Sequence, residues 1–144
     1  MPVGLGLHPY FPSTDDVKIR TKVSAAMLTD DQSLATGALA PADQNFDLSD
    51  RAIAKSGLDH GFTDWSGCMD IDYGGHCLKM TASKNAKWLQ IYAPKGQGYF
   101  CAEPVTHAND AFASPQRAWT ASGIKVLEPG ESETLSLVLQ CQVR

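Results

Sequence analysis

Apolar and polar residues alternate with a period of two along most of this chain. Val17, Ile19, Thr21 and Val23 interleave with Lys18, Arg20 and Lys22. Met69, Ile71 and Tyr73 interleave with Asp70 and Asp72, and Leu78, Met80 and Ala82 with Lys79 and Thr81. Leu89 and Ile91 alternate with Trp88, Gln90 and Tyr92; Phe100 and Ala102 alternate with Tyr99, Cys101 and Glu103. Near the carboxyl end, Leu135, Leu137, Leu139, Cys141 and Val143 share one face, and Ser136, Gln140 and Gln142 the other, with Val138 as the exception. A period of two places successive side chains on opposite faces of a strand, one face covered and one wet.

Turn-forming residues separate these runs: Gly74-Gly75, Pro94-Lys95-Gly96-Gln97-Gly98 and Glu128-Pro129-Gly130-Glu131. Many short strands with such punctuation predict an all-β sandwich or barrel, formed by residues 1–144 as one domain. The best helix candidate is Leu48 to Ser56, one or two turns long with Ser49 as its cap. The polar, Ala-rich stretch from Thr29 to Asn45 reads as a long excursion between strands.

Composition narrows the function. At 144 residues, 43% apolar and 19% charged, the chain is long and apolar enough to bury a core. A net charge of -4 excludes the basic footprint of a protein that grips nucleic-acid backbones. No apolar run reaches the roughly 20 residues of a membrane span, and Met1-Pro2-Val3-Gly4 does not open a signal peptide. The expected location is therefore the cytoplasm. There the four cysteines, which show no CxxC pairing, are expected to be reduced, with Cys101 and Cys141 as small buried apolar groups.

Candidate chemistry concentrates in two stretches rich in Gly, Pro and aromatics. The first is Gly4 to Phe11, where Pro9 restricts His8 to an extended backbone. The second is Tyr99 to Ala111, where Pro104 ends a strand ladder just after Glu103. A histidine and a carboxylate suffice to push a proton onto one oxygen while taking one from another. Each also has a plainer reading, Glu103 as a solvated strand end and His8 as a ring packed on Tyr10 and Phe11. His107 is a further candidate neighbour of Glu103. Asp59-His60-Gly61-Phe62 reads either as a loop presenting polar groups to a hydroxylated ligand or as an ordinary turn. Asp70, Asp72 and His76 lack the tight spacing of a metal site, so no metal is expected. Lys18, Arg20 and Lys22 read as a solvated strand face or as edge protection. Trp65, Trp88, Tyr92, Tyr99 and Phe100 are stacking platforms for a sugar ring or core residues. The chain has no Gly-x-Ser-x-Gly elbow, phosphate loop or dinucleotide fingerprint.

An ordered set of motifs then carries a resemblance. It comprises Gly6-Leu7-His8-Pro9-Tyr10-Phe11, Leu58-Asp59-His60-Gly61-Phe62, Leu89-Gln90-Ile91-Tyr92-Ala93-Pro94 and Phe100-Cys101-Ala102-Glu103-Pro104, followed by Asn109-Asp110-Ala111 and Leu127-Glu128-Pro129-Gly130-Glu131. Over nearly its whole length the chain resembles the aldose 1-epimerase (galactose mutarotase) family. The resemblance implies a β-sandwich of the mutarotase type with a sugar cleft on one face, and interconversion of the α and β anomers of an aldohexose. It implies Glu103 as the base that takes the C1 hydroxyl proton, and His8 as the acid that protonates the ring oxygen as the ring opens. Asp59 would bind sugar hydroxyls; Gln90 and Tyr99 join it on strand geometry. Neither a metal nor an organic cofactor is implied.

Family members are much longer. Their amino-terminal half supplies a second histidine, in an asparagine- and glycine-rich motif, and a sugar-binding arginine; neither motif occurs here. The chain thus resembles a carboxyl-terminal half, and Met1-Pro2 before Val3-Gly4 reads as a start inside an ancestral frame. Three expectations follow: a relative that completes its sandwich as a homodimer, a carbohydrate-binding module without catalysis, or a fragment that pairs with the missing half. A purely structural half-domain, with no sugar affinity, is the remaining class.

Overall fold

Thirteen strands form where the alternation is strong and where turns return the chain. In the computed structural model, which describes residues 1–43 and 45–143, they build two antiparallel sheets and a small ribbon. The ribbon pairs β1 (Pro2–Val3) with β12 (Lys125–Val126). The larger sheet has six strands: β2 (Tyr10–Pro12), β11 (Tyr99–Val105), β10 (Trp88–Tyr92), β7 (Asp59–Thr63), β4 (Ala25–Thr29) and β5 (Ala35–Pro41), side by side in that order. The second sheet has five: β13 (Leu137–Val143), β9 (His76–Ala82), β8 (Cys68–Asp72), β3 (Lys18–Thr21) and β6 (Arg51–Ala52).

The core lies between the sheets. Phe11, Phe62, Leu89, Ile91, Phe100 and Ala102 of the first sheet meet Ile19, Met69, Ile71 and Met80 of the second in one buried cluster. Apart from Phe11 and Phe62, these are the apolar members of the alternating runs, so the all-β sandwich follows largely from the period of two. Trp65 belongs to this core, its indole N–H donating to Thr21 Oγ1 at 2.8 Å. Trp88 joins a smaller cluster with Met27, Ala108, Ala111 and Ile124, under the short helix α1 (Trp119–Ser122).

Five expectations need correction. Pro104 does not end the ladder after Glu103: β11 runs on to Val105, with Pro104 paired opposite Leu89. Leu48 to Ser56 is not a helix. Leu48 and Ile53 are buried, and Arg51–Ala52 pairs with β3 as a strand. The Ser49 hydroxyl donates to Asp47 instead of capping a helix. The stretch from Thr29 to Asn45 is no excursion, and Gln44 within it lies outside the described residues. Asp30 Oδ1 accepts from the backbone N–H groups of Gln32 and Leu34, closing a tight turn that returns the chain as β5. Cys141 is exposed rather than buried, because the apolar face of β13 beyond Leu137 is uncovered. Finally, β3 is an interior strand, so Lys18 and Arg20 do not guard an edge; both bind Asp50, and Arg20 also reaches Asp72 at 2.9 Å.

Candidate active site on the outer face of the six-stranded sheet

Residues directly opposite one another in an antiparallel pair share a face. In β10 and β11 the register sets Gln90 opposite Glu103 and Tyr92 opposite Cys101. In β10 and β7 it sets Gln90 opposite Gly61 and Tyr92 opposite Asp59. The β2–β11 pairing places Tyr10 opposite Cys101, and an isolated bridge between Gly6 and Val105 continues that register toward the amino end. His8, midway between Gly6 and Tyr10, therefore falls opposite Glu103. The polar members of four runs thus converge on the sheet face turned away from the core.

His8 Nε2 lies 3.2 Å from Glu103 Oε1. The imidazole is 54% exposed and the carboxylate only 13%, so the acid is embedded and the histidine reaches over it from solvent. The His8 ring stacks on Tyr10 at 5.0 Å between centroids. Tyr99 lies 5.4 Å from Tyr10 and 6.4 Å from Tyr92, giving three phenols along one side of the pair. On the other side, Gln90 Nε2 donates to Asp59 Oδ1 at 3.0 Å, and Asn109 Nδ2 donates to Gln90 Oε1 at 2.8 Å. That chain of bonds fixes which way the Gln90 amide points and holds one Asp59 oxygen. A Cβ on Gly61 would come within 3.3 Å of Gln90 Oε1, so glycine there leaves the amide its room.

Burial pushes the Glu103 carboxyl above the ordinary glutamate range; the His8 ring pulls it back and the Asp59 charge pushes it further up. The Cys101 thiol is pushed up to about 11, by burial first and by the Glu103 charge second. A thiol held that high is neutral and is no nucleophile. A carboxylate whose pKa is raised is, when ionised, a stronger base than an exposed one.

All five expected site residues, His8, Glu103, Asp59, Gln90 and Tyr99, lie on this one face. The other histidines do not join them. His60 sits on β7 opposite Ile91, on the core side, with its ring edge-on to Phe46. His107 packs against Phe112, and a Cβ on Gly4 would strike its ring. His76 stacks on Tyr73 at 4.8 Å on the other sheet. Asp59 to Phe62 is a strand rather than a loop or turn. Tyr10 and Asn109 are further neighbours on this face, touching His8 and Gln90. Asn109 was visible only within a motif, and Tyr10 only as a packing partner of His8.

A family model described as Aldose 1-epimerase matches residues 1–140. The chain belongs to the aldose 1-epimerase family. It is 28% identical to the uncharacterised protein YphB of Escherichia coli K12 over 152 aligned residues, covering 99% of this chain and 51% of that protein. Among solved structures, a candidate aldose 1-epimerase of Escherichia coli K12 superposes with a TM-score of 0.87 at 26% identity, over 100% of this chain and 52% of the other. A galactose mutarotase-like protein of Clostridium acetobutylicum gives 0.85 at 21% identity, over 100% and 48%, a likeness of fold. The chain thus spans about half the length of the relatives it matches. The mutarotase-type sandwich is established for this epimerase-family chain, and among its described residues no helix is long and apolar enough to cross a membrane.

Proposed function

We propose that this chain binds an aldohexose and interconverts its anomers by acid/base catalysis, with Glu103 as base and His8 as acid. The observation that carries this reading is the 3.2 Å separation of His8 Nε2 and Glu103 Oε1. The C1 hydroxyl and the ring oxygen of an aldopyranose are bonded to the same carbon. A base for one and an acid for the other must therefore sit within a few ångströms of each other, on one side of the sugar. Glu103 takes the hydroxyl proton, electrons collapse to form the C1 carbonyl, and the ring C–O bond breaks as His8 protonates the departing oxygen. Rotation about C1–C2 and reclosure, with the roles reversed, give the other anomer. Asp59, oriented by Gln90, accepts from sugar hydroxyls, while Tyr99, with Tyr10 and Tyr92, offers apolar faces to the C–H side of the ring. A second copy of the chain is the proposed partner, covering the open edge at β13.

Polarimetry of freshly dissolved α-glucose and α-galactose tests the reading. The expected result is mutarotation well above the spontaneous rate, reduced about 10²- to 10⁴-fold by Glu103→Gln and by His8→Ala. Sugar binding with no rate in the unmodified protein would instead identify a carbohydrate-binding module. Neither binding nor rate would leave a structural half-domain.

A further inference from the structure

Beside the His8–Glu103 pair lies a third group with lone pairs. Cys101 is two residues from Glu103 on β11, so both side chains leave the strand on the same face. His8 Nε2, Cys101 Sγ and a Glu103 carboxylate oxygen all lie within 4.8 Å of one another. A zinc-class ion bonds to sulfur at about 2.3 Å and to nitrogen or oxygen at about 2.0–2.2 Å, which places tetrahedral ligand atoms about 3.3–3.8 Å apart. The observed nitrogen–oxygen separation of 3.2 Å falls just short of the lower end of that range. The sulfur lies within 4.8 Å of both, so ligation needs side-chain rotation, and His8 is exposed enough to make its share of it. The same exposure leaves the fourth position to water.

We propose that His8, Cys101 and Glu103 form a binding site for a borderline-soft divalent cation of the zinc class. The ion takes imidazole nitrogen, thiolate sulfur and carboxylate oxygen, and Cys101 gives up its thiol proton to solvent on ligation. A thiolate in the set selects zinc-class ions against magnesium and calcium, which take oxygen ligands. Sequence spacing gives no hint of such a site. His8 is more than 90 residues from Cys101 and Glu103 in sequence and meets them only through the register of the amino-terminal segment on β11. The site stands on this geometry alone. Its consequence, that bound metal and sugar exclude each other because both need His8 and Glu103, rests on the epimerase reading.

The test is titration of the whole chain with Zn²⁺ by equilibrium dialysis, and with Co²⁺ by absorbance, where a thiolate ligand gives a near-ultraviolet charge-transfer band. One ion per chain and a thiolate–cobalt band are expected. Cys101→Ser should remove the band, and Glu103→Gln should weaken Zn²⁺ binding at least tenfold. Cys68 and Cys141 are exposed, so a Cys68→Ser/Cys141→Ser variant should keep both signals. A band that survives Cys101→Ser, or that disappears with the two exposed thiols, overturns the proposal, as does equal binding of Mg²⁺. Mutarotation is assayed separately, on the metal-free chain. Zinc binding by these criteria without any mutarotation would sink the epimerase reading and leave the metal site standing. Mutarotation with no thiolate–cobalt band would do the reverse.

Discussion

Glu103 is held between opposing influences, and each can be moved separately. Burial and the Asp59 charge raise its carboxyl; the His8 ring lowers it. As the proposed base it must be ionised, so the acid limb of the mutarotation profile should lie above the ordinary glutamate value of 4.5. His8→Ala removes the group that lowers it, and the Glu103 titration, followed by ¹³C NMR of the carboxyl, should move up. Asp59→Asn removes a neighbouring negative charge, and the titration should move down. Identical shifts in both variants would refute this electrostatic picture. The same group makes stability depend on pH. The folded state binds the Glu103 proton more tightly than the unfolded state, so stability falls as pH rises from the ordinary glutamate value to the raised one, and the penalty persists above it. Glu103→Gln should therefore raise the melting temperature at neutral pH, with the gain shrinking below the ordinary glutamate range. A loss of stability at neutral pH would show that the carboxylate is a structural asset instead. Asn109→Ala belongs to the same scale. It leaves Gln90 Oε1, on a buried side chain, without its donor and releases the amide that orients Asp59. Sugar affinity should fall about tenfold, the scale of one hydrogen bond, with kcat much less affected.

Elements bring these residues together, and they differ in how far the chain reveals them. The β10 and β11 runs could be read directly, because each buries one face and wets the other. Their alternation already placed Gln90, Tyr92, Tyr99 and Glu103 on outward positions. What alternation cannot reveal is which strand lies beside which. The meeting of His8 with Glu103 depends on the amino-terminal segment pairing with β11, a contact between residues far apart in sequence. β5 was illegible for another reason. It is an exposed edge strand of mostly small residues, with even Leu39 half exposed, so it carries little of the contrast that burial imposes. Arg51–Ala52 reads as part of a helix because two buried apolar residues, Leu48 and Ile53, look alike whether a helix or a strand end holds them. The segment after β11 has its own constraint. Gly123 follows α1 in the left-handed region, at φ 89°, and a Cβ there would come within 2.1 Å of the Thr106 carbonyl oxygen. Gly123→Ala should cost about 1–3 kcal/mol in thermal unfolding, through both backbone strain and displaced packing. It should also lower sugar affinity, because Asn109 lies on the loop that this contact pins. An unchanged melting temperature would show that the loop shifts freely.

At the scale of the whole molecule, the sheets are closed by the core but open at their edges. β13 pairs with β9 on one side only, and along it Val138, Leu139, Cys141 and Val143 are exposed. Such an edge offers unpaired backbone groups beside apolar side chains, an arrangement that invites another strand. A two-fold axis through β13 would set it antiparallel to its own copy. That continues the antiparallel pattern of the sheet and gives each chain the same contact. The proposed homodimer makes β13 its seam, and two kinds of measurement bear on it. Sedimentation velocity should show a weight-average coefficient that rises with protein concentration. Leu139→Lys should hold it at the monomer value. In the monomer Leu139 is 47% exposed, so the substitution should alter intrinsic stability by less than about 0.5 kcal/mol, as surface changes do. Any larger loss of melting temperature should grow with concentration, since association adds stability by mass action. A coefficient that is independent of concentration and indifferent to Leu139→Lys would exclude the seam. Mutarotation by such a monomer would place the whole reaction on one exposed sheet face.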